Sequence, residues 1–452
     1  MGQVSGRADV HMFKYGGLLL VYDVNSGSLH QVDDLAWEAI DLLREGSGRE
    51  RARGLLSRSY PPDEVEEALC QVDELREERL LFSPAVPLQN EKLSPGGVKA
   101  LCLFISHSCN LGCRYCFARR DSQGKRLSHM SWEVGKKAVD FFLEYEGGRF
   151  REMDFFGGEP LLNFPLIRDI VGYARERALP RGKEFSFTLT TNASLLDEQA
   201  IDFLNREDIN VILSLDGRPA IHDLMRSFKN GLGSYETTVE NSKKLLQGRG
   251  NNNYYIRGTY TRHNLDFSND VRHLLKLGFA SLSLEPVVSA EESLALREDD
   301  LSLLEHQYDL LVDLYLEQKE KGSPFLFYHF ILDLEKGPCL YKRLSGCGAG
   351  LDYLAVAADG SLYPCHQFVG MDEFYMGNIT AEPFIINREV GARLAAAARE
   401  KEACGCCWAR YLCGNGCAAS SYFMTGDLQK TYNLGCALQK IRLERALYLQ
   451  AV

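Results

Sequence analysis

The sequence lacks the long apolar segments that mark membrane and secreted proteins. It contains no run of about 18 consecutive apolar residues, the length that a membrane-spanning helix needs. The N-terminal stretch MGQVSGRADVHMFKYGG has no apolar region of the kind found in a secretory signal. We therefore expect a cytoplasmic protein with no membrane partner.

An excess of positive charge is also missing. The chain carries 51 Lys and Arg against 62 Asp and Glu, which gives a net charge of −11. Proteins that hold nucleic acid through phosphate contacts need a basic surface, so we expect no nucleic-acid partner. No internal repeat or long low-complexity tract occurs, and 45% of the residues are hydrophobic. This composition is typical of a globular protein with two or three domains.

Cysteine, in contrast, is abundant, with fourteen residues in the chain. In a long cytoplasmic chain, many cysteines indicate metal or redox chemistry rather than disulfides. Cys109, Cys113 and Cys116 form one group, and no further cysteine occurs until Cys339. Nine cysteines then lie between Cys339 and Cys436. The sequence therefore predicts two separate metal-binding regions.

Residues 1–83 are predicted to form a small N-terminal domain. Strand-like runs flank the turn Asn25-Ser26-Gly27, and helical patterns begin near Asp33, Arg49 and Pro62. Leu80-Leu81-Phe82 reads as a closing strand. This order of elements predicts a winged helix-turn-helix. Residues 84–98, which contain three prolines and a Gly-Gly pair, are predicted to be a linker.

Residues 99–320 alternate strand-like and helical runs, which predicts an α/β fold. Six β/α units indicate a parallel sheet curved like part of a TIM barrel, with its chemistry at the C-terminal ends of the strands. Residues 321–452 form the cysteine-rich C-terminal region. The predicted strands are Leu101–Ser106, Met153–Phe156, Phe185–Thr190, Val211–Leu215, Tyr254–Thr261 and Ser281–Glu285.

The first cysteine group, Cys109-x3-Cys113-x2-Cys116, directly follows the first barrel strand. Three thiolates are one fewer than a fully protein-ligated iron–sulfur cubane needs, whereas a zinc knuckle usually offers four ligands. This spacing, with Tyr115 before the third cysteine, resembles the radical S-adenosylmethionine (SAM) superfamily. The resemblance implies a [4Fe–4S] cluster whose open iron chelates SAM, and a 5′-deoxyadenosyl radical made by SAM cleavage.

Further motifs at the strand ends match SAM-binding positions of that superfamily. Gly157-Gly158-Glu159-Pro160 ends the second strand, and the resemblance implies that Glu159 holds the SAM amino group. Asn192 ends the third strand. At the end of the fourth strand, Ser214 and Asp216 alternate onto one face. The resemblance implies that these two residues contact the SAM ribose and carboxylate.

Two basic positions in the barrel have open roles. Arg257 in the fifth strand is a candidate partner of the SAM carboxylate, and a structural salt bridge is its alternative role. His222-Asp223-x2-Arg226 matches a pattern in peptide-modifying relatives. On a helix, however, Asp223 and Arg226 are three residues apart and are able to pair with each other.

The C-terminal cysteines follow the pattern Cys347-x12-Gly360-x4-Cys365, Cys404-x2-Cys407-x5-Cys413-x3-Cys417 and Cys436. Thiolates without nearby histidine pairs favour iron–sulfur clusters, with a zinc ribbon as the alternative. The pattern resembles the seven-cysteine SPASM extension, which implies two auxiliary [4Fe–4S] clusters and three clusters in all. The resemblance assigns one complete auxiliary cluster to Cys404, Cys407, Cys413 and Cys436, and the other to Cys347, Cys365 and Cys417.

The second auxiliary group lacks a fourth ligand in this assignment. Cys339 is a candidate for it, and the alternative is an open iron that binds a cysteine thiolate of the substrate. In some relatives, an Asp that directly follows the cysteine corresponding to Cys365 acts as a base. This chain has His366 there, which is a candidate catalytic base or a donor to a cluster sulfur.

The N-terminal domain is acidic, with nine Lys and Arg against sixteen Asp and Glu in residues 1–83. It resembles the leader-recognition element of enzymes that modify ribosomally made peptides, in which an extended leader adds a strand to a sheet edge. Phe13–Gly17 and Leu344–Gly350 also look like maturases of six-cysteine (SCIFF) peptides. This resemblance implies thioether crosslinking of a cysteine-rich precursor peptide, with ferredoxin or flavodoxin as electron donor.

Two other functions remain as alternatives. The first is an oxidase that converts a Ser or Cys side chain of a protein to formylglycine, as other SPASM enzymes do. The second is a redox sensor that reads DNA through the winged helix, which the acidic charge of residues 1–83 disfavours because it repels phosphate.

Overall fold

The computed structural model describes residues 9–85, 97–118, 129–145, 147–250 and 252–452. An N-terminal unit begins with three antiparallel strands in the order β1, β2, β3, and three helices follow. The first helix begins after Asp33, whose side chain accepts the Ala36 N–H at 2.8 Å. The elements are β1 (Val10–Tyr15), β2 (Leu18–Asp23), β3 (Leu29–Val32), α1 (Asp34–Arg44), α2 (Arg49–Leu56) and α3 (Pro62–Glu77).

The closing strand predicted at Leu80–Phe82 is wrong. The structure has a bend there, because Phe82 adopts a positive φ of 53° that no strand accommodates. Leu81 is nevertheless fully buried and fills the small core between the sheet and the helices. The apolar run at residues 80–82 therefore indicates a buried segment rather than a strand.

The N-terminal unit is packed onto the rest of the chain. Phe13 and Leu20 belong to the main hydrophobic core, and the His11 ring stacks on Trp408 with centroids 3.8 Å apart. Arg410 is buried, forms an ion pair with Asp9 and donates to the Asn25 side chain at 2.8 Å. The unit consequently shares its stability with the C-terminal region.

All six strands predicted for the barrel are present, and they pair in parallel in chain order. A short seventh strand, which the sequence analysis missed, extends the sheet beyond the sixth. The parallel strands are β4 (Ala100–Ser106), β5 (Phe150–Gly157), β6 (Glu184–Thr191), β7 (Asn210–Ser214), β8 (Tyr254–Tyr260), β9 (Ser281–Pro286) and β10 (Leu326–Phe327).

Helices connect these strands and cover the outside of the sheet. The first of them begins after Ser131, whose hydroxyl accepts the Val134 N–H at 3.3 Å. It buries Val134, Ala138 and Phe142 at helical spacing. The helices are α4 (Trp132–Glu144), α5 (Phe164–Ala178), α6 (Glu198–Arg206), α7 (Pro219–Met225), α8 (Tyr235–Arg249), α9 (Ser268–Lys276) and α10 (Leu301–Glu320).

The C-terminal region continues the barrel sheet at its other edge. Its first strand pairs in parallel with β4, and two antiparallel strands follow, which gives the sheet ten strands within the described residues. Among the described residues, no helix has the length and apolar character to cross a membrane. The elements are β11 (Tyr353–Val356), β12 (Ser361–Tyr363), β13 (Gly377–Asn378), α11 (Leu340–Ser345), α12 (Glu389–Glu400), α13 (Glu402–Gly405), α14 (Arg410–Cys413), α15 (Ala418–Thr425) and α16 (Asn433–Ala451).

Candidate functional site

The loop that carries Cys109, Cys113 and Cys116 leaves the C-terminal end of β4. Its backbone is fixed against the residues after α7, because the Gly112 N–H donates to the Ser227 carbonyl at 2.8 Å. Burial raises the pKa of Cys109, and it raises the pKa of Cys113 to about 12; the neighbouring Cys116 thiol raises both further. A metal that binds these sulfurs must therefore displace their protons, as iron does in a cluster.

The two glycines of the Gly-Gly-Glu-Pro motif bring the end of β5 against this cysteine loop. The Gly158 N–H donates to the Ser106 carbonyl at 2.7 Å, and the Glu159 N–H donates to the Ser108 carbonyl at 2.8 Å. A Cβ on Gly157 would lie 2.1 Å from the Ser106 oxygen, and one on Gly158 would lie 2.3 Å from the Ser108 oxygen. The glycines thus permit close approach of two backbones next to the cysteines.

We expect Gly157→Ala to prevent normal folding of the cysteine loop. The residue has a φ of +129°, and the added methyl would collide with a backbone oxygen that cannot move aside. The expected result is a fall in Tm and in bound iron after reconstitution, both measured on the purified variant. Gly172→Ala in α5 is the matched control, because nothing lies within 4 Å of its added Cβ. That change should stabilise the helix by about 0.5–1 kcal/mol, and an equal loss in both variants would contradict this account.

Glu159 lies behind the wall of the site rather than in it. Its buried carboxylate accepts the Thr191 hydroxyl at 2.7 Å, the Asn192 N–H at 2.8 Å and the Leu161 N–H at 3.1 Å. Burial raises its pKa to about 7. The side chain therefore fastens the end of β6 to the end of β5. Asn192 faces the cavity instead, and its amide donates toward the Cys109 sulfur at 3.7 Å.

Asp216 is likewise a supporting residue, buried below the surface of the site. Its carboxylate accepts the Tyr115 hydroxyl, the Arg226 Nε–H at 2.9 Å and the Thr259 N–H at 3.0 Å. The Arg226 guanidinium lies over the Tyr115 ring, 5.3 Å from its centroid. Tyr115, Arg226 and Ser214 line the cavity, whereas Asp216 holds the first two in place.

The possible pairing of Asp223 with Arg226 does not occur. Asp223 instead accepts the Tyr235 N–H at 2.8 Å, at the start of α8. His222 is fully buried, and its Nε2 lies 2.9 Å from the Ser234 hydroxyl. Of these three residues, Arg226 alone lines the cavity. The i, i+3 spacing of Asp223 and Arg226 does not predict this position.

One cavity of about 630 Å³ joins the barrel to the C-terminal region. This volume is within the range of small-molecule sites. The barrel contributes the first cysteine group, Gly157 and Gly158 to its wall, and the C-terminal region contributes four cysteines. The site is thus a single space with thiols at both ends. The four C-terminal cysteines are Cys347, Cys413, Cys417 and Cys436.

Arg257 and His366 occupy different depths. Arg257 is half exposed in the cavity wall, with its guanidinium 3.8 Å from Glu285. His366 packs behind the cavity-lining rings of Phe117 and Phe156, and its Nδ1 lies 3.1 Å from the Tyr353 hydroxyl. Burial, and secondly the charge of Arg257, lower the pKa of His366 to about 4. Its imidazole is therefore neutral at neutral pH.

The seven C-terminal cysteines of the pattern lie in two groups. Cys404, Cys407, Cys413 and Cys436 lie within electrostatic reach of one another, and burial with these neighbours raises the pKa of Cys436 to about 11. Cys347, Cys365 and Cys417 form the second group, where burial raises the pKa of Cys365 to about 12. Two groups of soft thiol donors fit two clusters.

Cys339 stands outside these groups. It caps α11, where its exposed sulfur accepts the Lys342 N–H at 3.4 Å. Among the described residues, no three His, Cys, Asp or Glu side chains are arranged to bind a single metal ion. A cubane instead spreads its ligands over the corners of a cluster.

Comparison with known proteins agrees with this arrangement. Residues 103–265 match the model of the radical SAM superfamily. Residues 347–408 match the model of the iron–sulfur cluster-binding SPASM domain. Both matched ranges contain cysteines that line the cavity or lie beside it.

Three relatives illustrate the range of similarity. An uncharacterized protein of Methanocaldococcus jannaschii, MJ0907, is 32% identical over 190 residues, which are 42% of this chain and 63% of that protein. The cysteine-type anaerobic sulfatase-maturating enzyme of Clostridium perfringens is 27% identical over 330 residues, covering 69% of this chain and 86% of the enzyme. The serine-type anaerobic sulfatase-maturating enzyme of Klebsiella aerogenes is 23% identical over 351 residues, covering 74% and 83%.

Two solved structures share the fold. The structure of anSMEcpe with bound AdoMet has a TM-score of 0.65 and 22% identity, and covers 78% of this chain and 95% of that one. Streptococcus suis SuiB bound to the precursor peptide SuiA has a TM-score of 0.51 and 15% identity, covering 91% and 95%. The match to SuiB covers 91% of this chain, which is more than the part of the chain after residue 85. The shared fold therefore includes part of the N-terminal unit.

The chain is therefore a radical SAM enzyme, with a radical SAM domain and a SPASM domain around one cavity. More particularly, its sequence is similar to those of the anaerobic sulfatase-maturating enzymes, and it shares the fold of SuiB.

Proposed function

We propose that this enzyme forms thioether crosslinks in a cysteine-rich precursor peptide. The observation that carries the proposal is the continuous cavity between the first cysteine group and Cys347 and Cys417. A peptide segment in that space reaches both ends, so an acceptor residue and a cysteine of the same peptide can be held together. When bound, SAM and three [4Fe–4S] clusters supply the hydrogen-abstracting radical and accept the surplus electron.

The residues of the cavity fit a bound SAM at its barrel end. Gly157, Gly158 and Asn192 offer backbone and amide groups beside the cysteine loop, and Ser214 offers a hydroxyl on the neighbouring strand. Arg226 and Arg257 present cations that suit a carboxylate. Glu159 and Asp216 contribute by holding these groups in position rather than by touching the ligand.

The cysteine count at the other end supports capture of a substrate thiolate. The second auxiliary group has three cysteines, while Cys339 is turned to the Lys342 N–H at the exposed start of α11. A cluster held by three thiolates leaves one iron able to take an external ligand. We assign that position to a cysteine of the peptide.

The N-terminal unit supplies an edge on which a leader peptide is able to dock. The Asp23 N–H donates to the Ser28 carbonyl at 2.9 Å, so these two residues are a hydrogen-bonded pair of the antiparallel β2–β3 ladder. In such a ladder, every second residue of β3 directs its backbone N–H and C=O groups toward β2. Counted from that pair, the backbone groups of Leu29 and Gln31 turn away from β2. No other strand among the described residues covers this edge. An extended leader that adds here would form a fourth strand.

Gln31→Pro should weaken leader binding by about tenfold. Proline removes the outward N–H of β3 but no hydrogen bond of the β2–β3 pair, and edge strands tolerate it. One lost backbone hydrogen bond and the steric block correspond to about 1–1.5 kcal/mol. The affinity for a labelled leader peptide would be measured by fluorescence anisotropy. Gln31→Ala is the control, which keeps the N–H and should bind normally, and equal affinity of both variants would rule out this edge.

The second candidate reaction is oxidation of a Ser or Cys side chain to formylglycine. It is favoured by the similarity to serine-type and cysteine-type anaerobic sulfatase-maturating enzymes. The presence of the N-terminal unit, with its open sheet edge, favours a leader-bearing peptide over a sulfatase.

Substrate choice separates the two reactions. The holoenzyme would be given SAM, a reductant, and either a cysteine-rich precursor peptide or a sulfatase-derived peptide with a central Ser or Cys. We expect 5′-deoxyadenosine release to rise with the cysteine-rich peptide only. A new aldehyde in the sulfatase peptide, detected with a hydrazide reagent, would favour formylglycine formation instead.

A further inference from the structure

Lys401 is a buried lysine between the two C-terminal cysteine groups. It is 4% exposed, just before α13, and its side chain reaches the wall of the central cavity. Its Nζ donates to the Ser421 hydroxyl at 2.8 Å and to the Asn415 carbonyl at 3.3 Å. Both partners are neutral, and a buried ammonium without an anionic partner is costly. The compensating negative charge must come from other neighbours.

Those neighbours are thiols of both groups. The Cys404 N–H donates to the Lys401 carbonyl at 2.9 Å, and Asn415, whose carbonyl accepts from Nζ, lies between Cys413 and Cys417 in the chain. Burial lowers the pKa of Lys401, and the sulfurs of Cys404, Cys436, Cys417 and Cys413 oppose that shift. Cysteines of both proposed clusters thus adjoin Lys401. Iron–sulfur clusters in both groups would account for a buried ammonium at this place, because their ligand thiolates carry permanent negative charge.

We propose that Lys401 is a shared electrostatic partner of the two auxiliary clusters that raises the reduction potential of both. Reduction adds one negative charge to a cluster, and a nearby buried cation stabilises the reduced form more than the oxidised form. The proposal rests on the proposed function only in placing a cluster in each cysteine group. It makes both clusters better electron acceptors while contributing no ligand to either.

The test is a redox titration of the auxiliary clusters, followed by electron paramagnetic resonance. The full chain would carry Ala at Cys109, Cys113 and Cys116, so that only the auxiliary clusters contribute signals. Lys401→Gln should disfavour reduction of each cluster by about tenfold in the one-electron equilibrium, which corresponds to about 59 mV. Lys401→Arg, which keeps the charge, should restore the potentials of the parent protein.

Two further variants complete the test. Lys336→Gln removes the same charge from a side chain that is 85% exposed, and both potentials should stay unchanged because solvent screens it. Ser421→Asp places a carboxylate against the ammonium and should shift both potentials in the direction of Lys401→Gln. This second route applies if Lys401→Gln loses iron on reconstitution.

The outcomes are distinct. Unchanged potentials at full iron content in Lys401→Gln, or in Ser421→Asp if the first variant loses iron, would overturn the proposal and leave Lys401 as a brace for Asn415 and Ser421. A shift of one cluster alone would also overturn it, since the charge would not be shared. The titration needs no peptide, so failure of thioether formation would leave its result standing.

Discussion

Alanine at Cys109, Cys113 and Cys116 together should abolish formation of 5′-deoxyadenosine. The three thiols lie in one loop at the cavity wall, and no other described cysteine group adjoins Gly157, Gly158 and the end of β6. Without them no cluster forms at the SAM end of the cavity, so no electron reaches the sulfonium. The product would be quantified by liquid chromatography after anaerobic incubation with SAM and dithionite.

Cys70→Ala is the matched control for this loss. Cys70 lies exposed on α3 in the N-terminal unit and is not part of either cysteine region. Its removal should leave SAM cleavage and iron content unchanged. Cleavage that survives the triple substitution at a level near that of the control would contradict the assignment of the SAM cluster.

Asp216→Asn should destabilise the folded protein by about 3–5 kcal/mol, because it leaves the buried Arg226 guanidinium without its carboxylate. Tyr115 would lose its acceptor as well, so SAM affinity should fall with stability. Urea unfolding followed by circular dichroism gives the free energy, and equilibrium dialysis with labelled SAM gives the affinity.

Glu240→Gln provides the comparison for this effect. Glu240 forms an exposed ion pair with Lys244 on α8 at 2.7 Å. Exposed pairs contribute little, so this variant should differ from the parent by no more than about 0.5 kcal/mol. Similar losses in the two variants would show that the buried pair has no special role.

The parallel strands of the barrel were predictable because each is a short apolar run bounded by turn residues and followed by an amphipathic helix. The last strands of the sheet were not. β10 and β13 have two residues each and β12 has three, which is too short for any periodicity. The pairing of β11 with β4 joins segments about 250 residues apart, and no local pattern encodes such a contact.

The candidate site was predictable as a set of positions but not as a set of roles. The motifs at strand ends indicated residues that lie at the C-terminal edge of the sheet in the structure. Glu159 and Asp216 nevertheless turn behind the wall, because side chains beyond the last paired residue no longer follow the alternation of a strand. Arg226 is held at the cavity wall by the hydrogen bond that its Nε–H donates to Asp216, ten residues earlier in the chain.

The most direct test of the central claim is the mass and fragmentation of the product. The reconstituted holoenzyme would be incubated anaerobically with SAM, a reductant and a cysteine-rich precursor peptide. Loss of two hydrogens per crosslink, with one thiol per link no longer open to alkylation, is the result that this account predicts. Release of 5′-deoxyadenosine with a peptide of unchanged mass and fully alkylatable cysteines would contradict it.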